Sequence, residues 1–221
     1  MLDLNNITLI AVTSRNISKT LDAINFSTRG IKFGSVKLIS HEKPQNLSKD
    51  IVYENCKELT SLKEYSHYII YQLYKHVSTE FCITVQHDGY IVNPDSWTNE
   101  FLSYDYIGAP WPIRDNAYID PFNNHVRVGN GGFSLRSQKL LNVPQQINIP
   151  FEVNTDNFYK HMNANCYNED GNICVHNRHL YEKLGCKFGT VDLAARFSHE
   201  SDLPEYSNIR PFGFHNNLLY G

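Results

Sequence analysis

The strongest constraint on the fold is the apolar, β-branched run Phe81 to Val85, which stops abruptly at Gln86-His87-Asp88-Gly89. A run that is apolar on both sides of the pleat predicts a short strand buried on both faces, as in a parallel sheet. Asp88 then stands at the C-terminal tip of that strand, where open α/β sheets gather their ligand chemistry. Asp88-Gly89 is equally a turn signal for a hairpin, and these residues alone leave both readings open.

The residues before this run alternate in the way a parallel sheet requires. Ile7 to Thr13 predicts a strand, Ser14-Arg15-Asn16 its polar tip, and Leu21 and Ile24 a helix capped by Asn16 or Ser18. Ser35 to Ser40 predicts a second strand, completing a β-α-β unit with its right-handed crossover. Ile51 to Tyr53 suggests a third short strand. Ser61 to His76, with Tyr65, Ile69, Leu73 and His76 at helical spacing, predicts a helix that feeds into Phe81.

Beyond Pro94 the regular alternation ends. A short helix is expected from Asp95 to Leu102, and an irregular loop over a site from Ile113 to His125. Val126 to Arg136 leads into a helix at Ser137 to Leu141. Asn168-Glu169-Asp170 stands at the start of a helix from Ile173 to Leu184, and Lys187 to Val191 predicts a final strand. No repeat, linker or low-complexity tract interrupts the 221 residues. The expectation is a single domain over 1–221: a nucleotide-binding half over about 1–94, a donor-sugar and acceptor half over about 95–221.

Composition narrows the partners. A net charge of −3 argues against an electrostatic nucleic-acid binder. Five cysteines without a CxxC argue against a disulfide framework and for reduced thiols. Cys166, Cys174, His176, His179 and Cys186 lie close together, but their spacing fits no zinc pattern, and small core residues are the expectation. With no basic, apolar leader at the N-terminus and no transmembrane run, the expected location is cytoplasmic. Peripheral membrane contact stays open.

Three further features recur in order: Gln86-His87-Asp88-Gly89, Gly129-Asn130-Gly131-Gly132-Phe133-Ser134, and Asn168-Glu169-Asp170. His215 near the C-terminus completes the set. With Tyr104 to Trp111 and Phe212 to His215, this constellation resembles the GT-A-fold glycosyltransferases. It is most similar to a bacterial and viral GT-A-like family catalogued as a domain of unknown function, over most of residues 7 to 216. The resemblance implies an α/β fold with a mixed, mostly parallel central sheet flanked by helices.

It also implies the chemistry. Glycosyl transfer releases a nucleoside diphosphate, whose charge a divalent cation neutralises. By resemblance Asp88 and His215 hold Mn²⁺ or Mg²⁺, with His199 second to His215. Gln86 stands where the family's motif has a first Asp, a departure that bears on metal affinity. Thr13, Ser14, Arg15, Gln86, His87, Asp88, Asn130, Gly131 and Gly132 would contact the donor. Asp170 matches the general base of inverting enzymes, with Glu169 beside it; both are also ordinary helix-capping residues. Trp111 and Tyr106 would stack on an acceptor, or else belong to the core. The implied reaction moves a sugar from a nucleotide-sugar donor to a glycan or lipid-linked acceptor. The alternatives are a catalytically degenerate sugar- or partner-binding domain and a sugar nucleotidyltransferase, although Val12 to Asn16 lacks the Gly-rich basic loop of the latter.

Overall fold

The computed structural model describes residues 1–115, 117–152 and 168–215. Its first half alternates as the apolar runs require: β1 (Leu2–Val12), α1 (Ile17–Ser27), β2 (Ile31–Ser40), β3 (Val52–Asn55), α2 (Leu62–Tyr71) and β4 (Phe81–Thr84). After β5 (Gly89–Ile91) and two 3₁₀ turns come β6 (Tyr106–Ile107), β7 (Ser134–Ser137), α3 (Gln138–Leu141) and α4 (Val143–Gln146). The remainder comprises α5 (Glu169–Gly171), α6 (Arg178–Lys183), α7 (Val191–Phe197), β8 (Ser198–His199) and β9 (Gly213–His215).

The central sheet has the order β3-β2-β1-β4-β7-β6. β3, β2, β1 and β4 run parallel, and β7 is antiparallel to both β4 and β6. A mostly parallel sheet must be covered on both faces. One apolar cluster packs Leu73, Tyr106, Cys174 and Tyr181 against one face, and a second packs Ile24, Phe101, Phe197 and Phe212 against the other. Each cluster draws on both halves of the chain. A second sheet, β5-β9-β8, pairs Gly89 with His215.

Local chemistry sets the element ends. Ser61 Oγ caps α2 by accepting from the Glu64 N–H at 3.2 Å, while Glu64 reaches back to the Thr60 N–H at 2.8 Å. This is close to a reciprocal capping box. Asn16 at the start of α1 makes no side-chain cap; it takes a left-handed φ of 52°, which Asn tolerates better than most residues.

Several expectations need correction. The 61–76 helix tightens to 3₁₀ at Leu73–His76. The expected 173–184 helix is a π turn, Asn172–His176, followed by α6. In that wide turn the Asn172 and Asn177 side chains both donate to Pro150 O, at 3.0 and 2.8 Å. The expected strand at 187–191 is reduced to one bridge between Tyr106 and Phe188, and Val191 opens α7, capped by Thr190. Of 126–136 only the last part is a strand. Cys56, Cys82, Cys174 and Cys186 are buried free thiols, and Cys166 lies outside the described residues. Among the described residues no helix is long and apolar enough to cross a membrane.

Candidate active site

At the tip of β4 the chain folds back on itself. Gln86 and Gly89 exchange backbone hydrogen bonds of 3.0 and 3.1 Å, leaving His87 and Asp88 as the two-residue loop of a hairpin. The turn reading of Asp88-Gly89 is the observed one, and the turn sets Asp88 in the loop of the hairpin. Because β9 pairs with β5, His215 is carried back beside that loop, its Nε2 3.7 Å from Asp88 Oδ1. Asp88 Oδ1 is buried and has no hydrogen-bond partner among the described residues. Glycine is needed here for space: a Cβ on Gly132 would overlap the His215 ring, and one on Gly89 would lie 2.8 Å from Gly132 O.

The Gly129–Gly132 segment joins the two acidic centres. Asn130, with a left-handed φ of 65°, uses Oδ1 to accept the Gly132 N–H at 3.0 Å and turns Nδ2 to His215 Nδ1, also at 3.0 Å. The next residue, Gly131, donates its N–H to Asp170 Oδ2 at 3.1 Å. Glu200 Oε1 lies 3.4 Å from His215 Nδ1. Burial works against a charged His215, but the hydrogen bond and charge of Glu200, with Asp88 and Asp170, outweigh it and raise its pKa. The Asp170 carboxyl is pushed up to about 7, first by burial and then by Glu169 and Glu200; N–H donors at Gly171 and Gly131 oppose the rise.

Beneath Asp170 lies a feature that sequence reading missed. Arg136 is fully buried in β7, with Nη2 3.4 Å from Glu169 Oε1 and 3.5 Å from Gly131 O. Its Nε donates to Ser134 Oγ at 3.0 Å, and the guanidinium lies 5.3 Å from the Tyr106 ring centroid. Burial disfavours its charge, but Tyr106 and Glu169 more than offset this. Glu169 is thus committed to Arg136. The only sequence signal was an arginine inside an otherwise small and apolar strand.

Five of the nine expected donor residues line one cavity, and Asp88, Asn130, Gly131 and Gly132 do not line it. Thr13, Ser14, Arg15, Gln86 and His87 line a cavity of about 360 Å³ at the tip of β1, closed by Leu59, Ser61 and Tyr65. Ser14 Oγ accepts from the Leu59 N–H at 2.8 Å, and Arg15 Nη2 donates to Thr60 O at 3.0 Å. The Thr13 hydroxyl is engaged with the Arg15 backbone. Gln86 Nε2 donates to Tyr65 Oη at 2.8 Å.

The two acceptor aromatics are core residues. Tyr106 is completely buried, its hydroxyl donating to Asn130 O at 2.9 Å, and Trp111 is 3% exposed beneath Tyr118. Neither presents a face to a sugar. Tyr118 stacks on Trp111 at 4.0 Å and keeps part of its surface exposed. His199 faces Asp202 at 3.5 Å. Among the described residues no group of three or more His, Cys, Asp and Glu side chains forms a metal cluster.

A mostly parallel sheet with an antiparallel β7, a carboxylate hairpin at a strand tip and a histidine returned by a second sheet define a GT-A-like α/β domain. Residues 49–215 match the model of a family described as a protein of unknown function, DUF5672, and the chain belongs to that family. Among solved structures it is similar to a glycosyltransferase involved in glycosylation of the major capsid of PBCV-1. That likeness has 13% identity and a TM-score of 0.51, and covers 95% of this chain and 92% of the other. It is also similar to the mannosyltransferase PcManGT from Pyrobaculum calidifontis in complex with GDP-Man and Mn²⁺, at 12% identity and a TM-score of 0.41, over 69% and 49% of the chains. No curated protein matches the sequence.

Proposed function

We propose that the protein is an inverting glycosyltransferase that moves a sugar from a nucleotide-sugar to a hydroxyl of a glycan or lipid-linked acceptor. The observation that carries this reading is the Gly129–Gly132 segment, which ties His215 to Asp170. Three separated motifs thereby share one wall.

The Asp88–His215 pair suits a divalent cation. An orphaned, buried carboxylate oxygen and an imidazole nitrogen 3.7 Å away are a hard oxygen and a borderline nitrogen donor, a set that Mn²⁺ or Mg²⁺ accepts. A bound cation would neutralise charge on the departing diphosphate. Thr13, Ser14, Arg15, Gln86 and His87 would hold the nucleotide, and Asn130, Gly131 and Gly132 the donor sugar. Asp170 would take the proton of the acceptor hydroxyl as its oxygen bonds to the anomeric carbon and the bond to the diphosphate breaks. Glu169, held by Arg136, adds its charge to the burial that raises the Asp170 pKa.

The test is release of free nucleoside diphosphate from a panel of nucleotide-sugars with Mn²⁺, with and without acceptors. Turnover of at least one donor, lost in Asp88→Ala, is the expected result. Nucleotide binding without turnover of any donor would instead make this a degenerate binding domain, a reading that Gln86, engaged with Tyr65, keeps in play.

A further inference from the structure

We infer that Glu200 is a positioning residue of the proposed cation site: it accepts the Nδ1 proton that His215 must carry when Nε2 serves as a ligand. This rests on the cation reading above and adds a residue which that reading leaves out. β8 runs parallel to β9 with Ser198 beside Gly213 and His199 beside Phe214, so the next residues along, Glu200 and His215, fall side by side. Glu200 Oε1 lies 3.4 Å from His215 Nδ1, and both side chains are largely buried.

The ring is seated one way round. Its Nε2–Cδ2 edge lies against Gly132 and Gly89, where an added Cβ would come within 2.0 and 2.9 Å of it. Nδ1 faces Asn130 and Glu200. Asn130 Oδ1 accepts the Gly132 N–H at 3.0 Å and the Phe133 N–H at 3.4 Å, so its amide nitrogen, not its oxygen, is the atom 3.0 Å from Nδ1. Nδ1 thus stands between a fixed donor and a carboxylate.

A neutral imidazole has one N–H, and its place decides what the other nitrogen can do. With the proton on Nε2, Nδ1 accepts from Asn130 and no lone pair is turned toward Asp88. With the proton on Nδ1, Glu200 accepts it and the Nε2 lone pair faces Asp88 Oδ1, 3.7 Å away. Only the second form can share a cation with Asp88. Asn130 is the nearer partner and favours the first form, so binding through Nε2 sends that proton to solvent while Nδ1 takes one up against Glu200. An acceptor on the far nitrogen is what orients a ligating histidine and raises its basicity.

The experiment reads the tautomer of the full chain by two-bond ¹⁵N–¹H NMR at mildly alkaline pH, with the His215→Gln spectrum identifying the His215 signals. The ring should change from Nε2–H to Nδ1–H when Mg²⁺ is added. Mn²⁺ binding, followed by the spin-resonance signal of the free ion, should weaken about 10- to 100-fold in Glu200→Ala. Glu200→Gln loses the charge but keeps an acceptor oxygen, and should recover most of that loss. Adding Asn130→Asp to Glu200→Ala puts a carboxylate oxygen beside Nδ1, on a residue that also tolerates a left-handed φ, and should restore binding. A ring that keeps one tautomer throughout overturns the inference, and this reading needs no variant at Glu200. Glu200→Gln as weak as Glu200→Ala makes the effect one of charge alone and also overturns it, leaving the cation reading standing. Failure of the parent to bind Mn²⁺ overturns both.

Discussion

On one side of the site Asp88 and His215 hold polar atoms with capacity to spare; on the other, Arg136, Glu169 and Asp170 form a closed network. Asp88 Oδ1 has no hydrogen-bond partner among the described residues, and its imidazole neighbours stand 3.4 and 3.7 Å away. In the opposite wall Glu169 is bound to Arg136, and both Asp170 oxygens accept backbone N–H groups. Even there one atom, Arg136 Nη1, is left over. The difference separates two uses of buried polarity. In the proposed reaction the first wall would supply atoms to a ligand, whereas the second is bonded within the protein and raises the Asp170 pKa.

The largest effect expected is on turnover. Asp170→Asn should lower transfer by about 10²- to 10⁴-fold, the range a positioned base contributes, while donor affinity and melting temperature barely move. An active Asp170→Asn enzyme would remove Asp170 from the chemistry and leave the closed wall as scaffold.

Stability should distinguish the walls next. Arg136→Met strands the Glu169 carboxylate in the core and should cost about 3–5 kcal/mol in urea unfolding. The double variant Arg136→Met, Glu169→Met should recover much of that loss. On the open wall Asp88→Ala should change folding free energy by less than about 1 kcal/mol. Equal losses at Arg136 and Asp88 would erase the contrast.

The smallest effect is a pH dependence. With its carboxyl near 7, Asp170 is protonated in acid and becomes a base only as pH rises, so the acid limb of turnover should lie near pH 7. Its pKa is raised on folding, from an ordinary 3.8. The associated stability is therefore fully present below about 3.8 and is lost as pH rises through about 7. Asp170→Asn should flatten both the rate limb and this part of the stability profile. A limb that survives the substitution belongs to another group.

Much of this frame is legible in the chain because apolar periodicity is a local signal. β4 and the C-terminal parts of β1 and β2 follow from largely apolar runs, whereas β1 and β2 begin earlier than those runs, at Leu2 and Ile31; the capped start of α2 follows from Ser61 and Glu64. The boundaries that failed depend on distant partners. Leu73 to His76 has helical spacing but tightens to 3₁₀, and the Asn172 and Asn177 side chains answer to the carbonyl of Pro150. At the site, the strand-tip residues and Asn168-Glu169-Asp170 stand out by type and order. Arg136 does not, since an arginine in a short strand is a weak signal until the sheet closes around it. The same limit applies to Trp111 and Tyr106, whose burial is a property of the packed core.

The pairing of Gly89 with His215 also bears on the order in which the protein assembles. β1, β2 and β4 can associate as soon as the first half of the chain is collapsed, because all three lie before Val85. The small sheet must wait for a segment far along the chain to return, and contacts of such sequence separation form slowly. Asp88 would thus face water until a late step closes β9 over the hairpin. In a refolding experiment, amide protection at Gly89 and Ile91 should lag that at Leu9 and Ile83, so the site matures after the sheet that supports it.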